Sequence, residues 1–498
     1  MHVTLINPPF LFHEAEEAVS SQCLGLFSLA GYLLKAGYDV TVVDALFEGR
    51  LLPPRPVGTQ LLVGLRDADV VSRIPRECDC VGVSVPFTHL APQCQALVRA
   101  IKAARPQTPV VLGGVYPSTE PQVAARESGA DYLVVGEGER PMAALLEHLR
   151  AKAGGPLPKG VVDCARPELA ASVESDRIDF LDDLPLPARH LVPFERYLGQ
   201  SPRQRRGRRT AALVTSRGCP FDCDFCSIHP VCGRKWRPHS VERVLAEVDE
   251  LVGRYRADCL EFEDDNFTLQ PKRAAAILEG LVRRNEQGAG LTWSTPNGVR
   301  IDTLDDGLLG LMKRSGCVSL HLALEHGDPD VLSLMNKRLD LAKALGVICL
   351  TQKHRIPTHV FAIVGYPGES RARFENAFAY YREIRRLAPA VRFSFFYAQP
   401  YPGTRLLERC EREGYLAERP RFQRYDTEST IWITTPDFDR AEVERRMELL
   451  MRTLNPRRYL RQRLMRALPG PTSAALKIAS SPQGARMIAA LRGVLGRG

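Results

Sequence analysis

No run of apolar residues in this chain is long enough for a membrane-spanning helix. The first residues, Met1 to Pro9, lack the basic start and apolar stretch of a secretory leader. Thirteen cysteines without such a leader are expected to stay reduced in a cytoplasmic setting. Acidic residues are missing after Glu448, whereas ten Lys or Arg fall between Arg452 and Arg497. Without those ten, 67 basic against 58 acidic residues becomes 57 against 58, so the net charge of +9 belongs to the tail. A body so near neutrality has no charge footprint for nucleic acid. The tail itself reads either as a solvated or packed segment or as a peripheral contact with anionic lipid. What is present, 44% hydrophobic and 25% charged residues over 498 positions, describes a globular chain of two or three domains.

Residues 1–150 alternate short β-branched runs with longer stretches of helical periodicity. The strand candidates are 2–6, 39–43, 80–85, 109–112 and 131–135, with helical patterns such as 24–36 and 93–104 between them. Five strands joined by helices predict a doubly wound parallel sheet, whose ligands bind beyond the carboxyl ends of the strands. Those ends carry Asn7, Pro8 and Pro9, then Ser84, then Gly113, Gly114, Pro117 and Ser118, and then Gly136, Glu137 and Gly138. Glycines there let backbone approach a ligand closely.

The densest chemical signal follows the buried strand candidate at 211–216. Cys219, Cys223 and Cys226 lie within eight residues, in the spacing C-x3-C-x2-C. Thiolates this close suit a soft metal centre, most often an iron–sulfur cluster. On a [4Fe–4S] cube three cysteines leave one iron open for another ligand. A disulfide with a spare thiol does not suit a reducing setting. A zinc site would need a fourth ligand, for which His229 and Cys232 are at hand. Six further strand candidates (211–216, 259–263, 291–294, 318–324, 359–364 and 391–398) predict an open (β/α)6 barrel with its chemistry at the carboxyl ends of the strands.

The cysteine motif, with Phe225 just before its third cysteine, resembles the radical S-adenosylmethionine (SAM) superfamily, and the first 150 residues resemble the cobalamin-binding domain fused to many of its members. The resemblance implies a [4Fe–4S] cluster whose open iron chelates SAM, and reductive cleavage to a 5′-deoxyadenosyl radical. It places Phe225 beside the adenine, Asp264 or Asp265 on the SAM amino group, Glu325 on the ribose, and Ile363 and Gly365 near the adenine. Asn297 and Arg300 would reach the SAM carboxylate or the substrate. Cobalamin would rest on the turns of the first sheet. No D-x-H-x-x-G string occurs, so no histidine is expected on cobalt. The alternative is a cobalamin-like domain that has lost its cofactor.

These readings divide the chain into a doubly wound domain (1–150), a Pro- and charge-rich linker (151–205), the barrel (206–405) and a helical region with the basic tail (406–498). The activity expected first is methyl transfer to an unactivated carbon of a small molecule or lipid, with a flavodoxin- or ferredoxin-type reductant. Radical cyclisation, rearrangement or dehydrogenation is the second expectation. The third is a cluster- or cobalamin-responsive binding protein without SAM cleavage.

Overall fold

The computed structural model describes residues 1–12, 22–58, 60–152, 155–199, 208–416 and 430–467. The tail beyond residue 467 and most of the arginine run at 203–209 lie outside the described residues.

The first sheet holds β1 (His2–Asn7), β2 (Asp39–Asp44), β3 (Cys78–Val85), β4 (Val110–Gly114), β5 (Tyr132–Val134) and β6 (Val161–Asp163). Its order is β2-β1-β3-β4-β5-β6, parallel throughout except for the last pair. Alternation along β1 sends Val3 and Leu5 into one core and Ile6 into the other, so the sheet is buried on both faces. The chain reverses its winding between β1 and β3, which opens a crevice at their carboxyl ends. β6 is a sixth strand beyond the five read from the sequence; it pairs antiparallel at the edge and brings residues 161–163 into this sheet.

The second sheet comprises β7 (Thr210–Leu213), β8 (Cys259–Phe262), β9 (Thr292–Val299), β10 (Cys317–Glu325), β11 (Thr358–Val364) and β12 (Arg392–Tyr397). These strands are parallel and neighbour one another in sequence order, leaving the half-barrel open between β7 and β12. Several of its helices start on side-chain caps. Ser240, Asp305, Asp340 and Ser370 each accept the backbone N–H three residues on, a cap worth about 1 kcal/mol.

The stretch read as a linker is a wedge. Phe194 stands edge-on to Phe27 of the first domain (6.0 Å) and to Tyr255 of the barrel (4.9 Å), and Tyr197 stacks on Phe47 at 3.6 Å. One apolar core therefore runs through both domains. The carboxyl region packs onto the barrel. The helix Arg440–Leu454 lies against β11, β12 and the helix Arg371–Leu387. Among the described residues no helix is long and apolar enough to cross a membrane.

Candidate functional site

Residues 219–226 form neither helix nor strand. They leave a ribbon in which Ser216–Arg217 pairs antiparallel with Arg237–Pro238. The turn between needs glycine, because Gly218 has φ +84° and a Cβ there would stand 2.5 Å from the Lys235 carbonyl oxygen. Neighbouring loops pin the backbone. Asp224 N–H donates to the Met335 carbonyl (3.0 Å), Leu406 N–H to the Asp224 carbonyl (2.9 Å), and Asn336 Nδ2 to the Asp222 carbonyl (2.8 Å).

The three thiols are half-buried, and burial pushes each of them up, Cys226 to about 12. The Lys337 and Arg300 cations oppose that rise at Cys219 and Cys223. Thiols in this state become ligands when a strongly positive centre displaces their protons. Among the described residues no three His, Cys, Asp or Glu side chains are grouped to hold one ion. Thiolates that each meet a different iron of a cube stand farther apart than that. His229 Nε2 faces the Cys219 carbonyl at 3.1 Å. That nitrogen must donate there, which removes it from any zinc set.

The other expected barrel residues separate into two groups. Asp264 is enclosed and spent on shape: it accepts from Thr215 N (3.0 Å), Thr215 Oγ1 (2.7 Å) and Ser216 Oγ (2.5 Å), fixing the ribbon before the cysteines. Asp265 opens onto a cavity and accepts from Gly218 N at 3.1 Å. Protein packed around it, together with Asp264, pushes its carboxyl up to about 6.

Glu325 is buried at the end of β10 with φ +70°, a backbone strain of the kind stored at functional sites, and its Oε1 takes Lys337 Nζ at 3.2 Å. Phe225 and Ile363 pack at the edge of the core. Asn297 is exposed and donates to the Glu263 carbonyl at 3.0 Å.

Arg300 and Gly365 are both engaged with protein. The Arg300 guanidinium lies 3.7 Å over the Phe221 ring and pairs with Asp302 at 2.8 Å, so it braces the cysteine loop. Gly365 has φ +77°, and a Cβ there would meet Val443 of the helix Arg440–Leu454 at 3.0 Å; packing accounts for this glycine.

A cavity of about 490 Å³ separates the carboxyl ends of the first sheet from the cysteine ribbon. Asn7, Ser84, Gly113, Gly114, Gly136, Glu137 and Gly138 line it from one side, and Ser216, Arg217, Cys232 and Asp265 from the other. Pro8, Pro9, Pro117 and Ser118 do not line it. Ser118 Oγ donates to the Gly114 carbonyl (2.6 Å) and accepts from Gly136 N (2.8 Å), so it holds the two glycine turns together. Asn7 is tied to Asp44 at 2.8 Å, and Glu137 is paired with Arg237 rather than left for a ligand.

Two family models match the chain: the B12 binding domain over residues 20–146 and the radical SAM superfamily over residues 213–380. The chain belongs to the radical SAM enzymes that carry a B12-binding domain. Its cofactors are a [4Fe–4S] cluster, SAM and cobalamin. A cytidylyl-2-hydroxyethylphosphonate methyltransferase of Streptomyces wedmorensis is 28% identical to this radical SAM enzyme, over 92% of this chain and 90% of that one. An anaerobic magnesium-protoporphyrin IX monomethyl ester cyclase of Rubrivivax gelatinosus is 26% identical, over 77% and 66%. The solved cobalamin-dependent SAM radical enzyme OxsB superposes with a TM-score of 0.68 at 15% identity, covering 96% of this chain and 70% of that one, a likeness of fold alone.

The residues fit these cofactors. From the crevice the cavity continues as a slot over the face of the first sheet, walled by Leu5, Leu26, Leu29, Val111, Val134 and Met142 and floored by Gly82. A Cβ at Gly82 would stand 2.9 Å from Leu5 Cδ2, so a side chain here would have to push Leu5, itself a wall of the slot, out of place. A flat apolar group of cobalamin suits such a slot. No histidine of the first domain lines the cavity among the described residues. The sequence reading missed Gly82, although a lone glycine inside Cys80-Val-Gly-Val-Ser-Val85 is the usual sign of a close approach. It also missed Lys337, held in place between two positive-φ residues, Asn336 (φ 52°) and Arg338 (φ 46°).

Proposed function

We propose that this enzyme transfers a methyl group to an unactivated carbon of a small molecule. The observation that carries the reading is one cavity lined by the glycine turns of the first sheet and by Ser216 and Arg217 of the ribbon that leads into the cysteine loop; Cys219, Cys223 and Cys226 themselves lie outside its lining. When bound, the cluster with SAM supplies hydrogen-abstracting power and cobalamin supplies a transferable methyl group.

Cys219, Cys223 and Cys226 hold the cluster in this reading. Asp265 accepts the SAM amino group, Glu325 accepts the ribose hydroxyls, and Phe225 and Ile363 pack against the adenine. Gly82, Gly113, Gly114, Gly136 and Gly138 bring backbone close to cobalamin. The apolar walls keep water away from a radical at the substrate carbon. Electrons come from a flavodoxin- or ferredoxin-type donor. The methyltransferase relative, matched over nine-tenths of its length, favours this reading. Oxidative cyclisation is the second reading, favoured by the cyclase relative.

Anaerobically reconstituted enzyme, given deuterated-methyl SAM and a metabolite extract, tests both. Label in a product, formed together with 5′-deoxyadenosine and S-adenosylhomocysteine and lost in Cys223→Ala, is the expected result. Formation of 5′-deoxyadenosine with no labelled product and no S-adenosylhomocysteine would overturn methyl transfer in favour of cyclisation.

A further inference from the structure

Four charged side chains are buried together where the first sheet meets the cysteine ribbon. Glu137 belongs to the turn that follows β5, Glu139 is the first residue of the helix Glu139–Arg150, and Arg217 and Arg237 face each other across the ribbon. The side chains of Glu137, Glu139 and Arg237 are 4%, 4% and 3% exposed, and that of Arg217 is 16% exposed.

Arg217 grips Glu139 with both terminal nitrogens (2.7 and 3.3 Å), donates to Ser28 Oγ at 3.0 Å, and stands 3.5 Å from Glu137. Arg237 holds both oxygens of Glu137 and the carbonyls of Ile178 and Cys232. Burial alone would push Glu139 up, yet the Arg217 guanidinium holds its carboxyl below the ordinary value. The set is electrically balanced and its forks are directional.

The position of this quartet matters more than its charge. Glu137 and Glu139 flank Gly138, which lines the cavity on the first-sheet side, and Arg217 stands two residues before Cys219. Each carboxylate is thus one residue from the cobalamin cradle, and each guanidinium is on the strand pair that launches the cysteine loop. Elsewhere the junction is held by aromatic packing around Phe194 and Tyr197 and by single hydrogen bonds such as Tyr197 Oη to Asp44 (2.9 Å) and Gln22 Nε2 to the Thr210 carbonyl (3.0 Å), each of which leaves some freedom to shift. A planar guanidinium that grips a carboxylate with both terminal nitrogens permits far less.

We infer that the quartet Glu137, Glu139, Arg217 and Arg237 fixes the spacing between the cluster loop and the cobalamin cradle, with Arg217 as the positioning residue that couples SAM cleavage to methyl transfer. The coupling half of this inference rests on the proposed methyl transfer; the spacing half does not.

The decisive variant is the doubly neutral Arg217→Met/Glu139→Gln, which removes the grip without leaving a lone buried charge. Arg217→Lys, which keeps the charge and loses the fork, accompanies it. Pulsed electron paramagnetic resonance between the reduced cluster and cob(II)alamin reads the spacing directly. Both variants are expected to bind both cofactors and to broaden or lengthen the single distance of the parent enzyme. Methylated product per 5′-deoxyadenosine should fall by up to about 10²-fold, the loss that misplacement by about 1 Å brings.

An unchanged distance distribution overturns the spacing role. A changed distance with an unchanged product ratio overturns the coupling role. If the parent enzyme makes no methylated product, the proposed function fails, and the distance measurement still decides the spacing.

Discussion

Replacing Gly82 by leucine fills the slot over the first sheet from its floor and is expected to remove cobalamin while sparing the cluster. The magnitude follows from the geometry. A Cβ alone would lie 2.9 Å from Leu5 Cδ2 and 3.8 Å from Met142 Cε, whereas apolar carbons rest at about 3.5–4.0 Å. Gly82→Ala therefore displaces Leu5 by a few tenths of an ångström to about 1 Å, an overpacking of ~1–3 kcal/mol. Leucine sends three further carbons into the space between Leu29, Val111 and Met142. It should weaken cobalamin by at least about two decades, or ~2.7 kcal/mol. Titration of the cobalamin-free protein with hydroxocobalamin, followed by gel filtration and absorbance, gives the affinity; iron and sulfide content gives the cluster. Alanine should fall between parent and leucine. A leucine variant that keeps cobalamin with parental affinity would refute the assignment of the slot. Parallel loss of cluster and cobalamin would show a folding defect instead.

Two further outcomes follow from buried charge. Asp265 sits raised from 3.8 to about 6 in the folded protein, so its contribution to the stability of the cofactor-free protein is full below about pH 4 and lost as pH rises through about 6. Asp265→Asn should flatten that slope in urea unfolding measured across pH 4–7. Arg446, 2% exposed, donates to the Glu369 carbonyl at 2.7 Å and stands 3.4 Å from the buried Glu369 carboxylate. Arg446→Ala should destabilise the enzyme by ~3–5 kcal/mol, and Arg446→Met/Glu369→Gln by much less, as read by thermal unfolding.

The parts of this molecule that were legible in the sequence are those written in local spacing. The three cysteines lie within eight residues, and the barrel strands alternate with helices closely enough for periodicity to reveal all six. β6 escaped notice because three residues, Val-Val-Asp, carry too little pattern, and it pairs antiparallel across a turn-rich stretch. The wedge at Phe194 and Tyr197 was hidden by the prolines and charges around it, since composition reports the average of a segment and not the face it buries. Adjacent carboxylates posed a different problem. Asp264 and Asp265 are chemically equal in sequence, and only the path of the backbone after β8 decides that one holds Ser216 while the other faces the cavity. Local spacing gave no reason to single out Arg217, because its partners are 78 and 80 residues away.

Those distant partners also explain why the charges near the cavity have so little net effect. Arg189 meets Glu247 at 2.6 Å, Arg243 meets Glu247 at 3.1 Å, and Arg217 and Arg237 are matched by Glu139 and Glu137. Paired ions in a low-dielectric wall project weak fields, so the wall selects by shape more than by charge. Asp265 departs from this pattern: it opens onto the cavity and has no ion-pair partner among the described residues, and the protein packed around it, with Asp264 beside it, raises its carboxyl. A cation arriving opposite it would draw the proton off and gain the full attraction of the carboxylate. SAM brings two positive centres, a sulfonium and an ammonium. In the proposed reading, Asp265 on the side that launches the cysteine loop meets the cationic SAM, while the slot over Gly82 stays apolar for cobalamin.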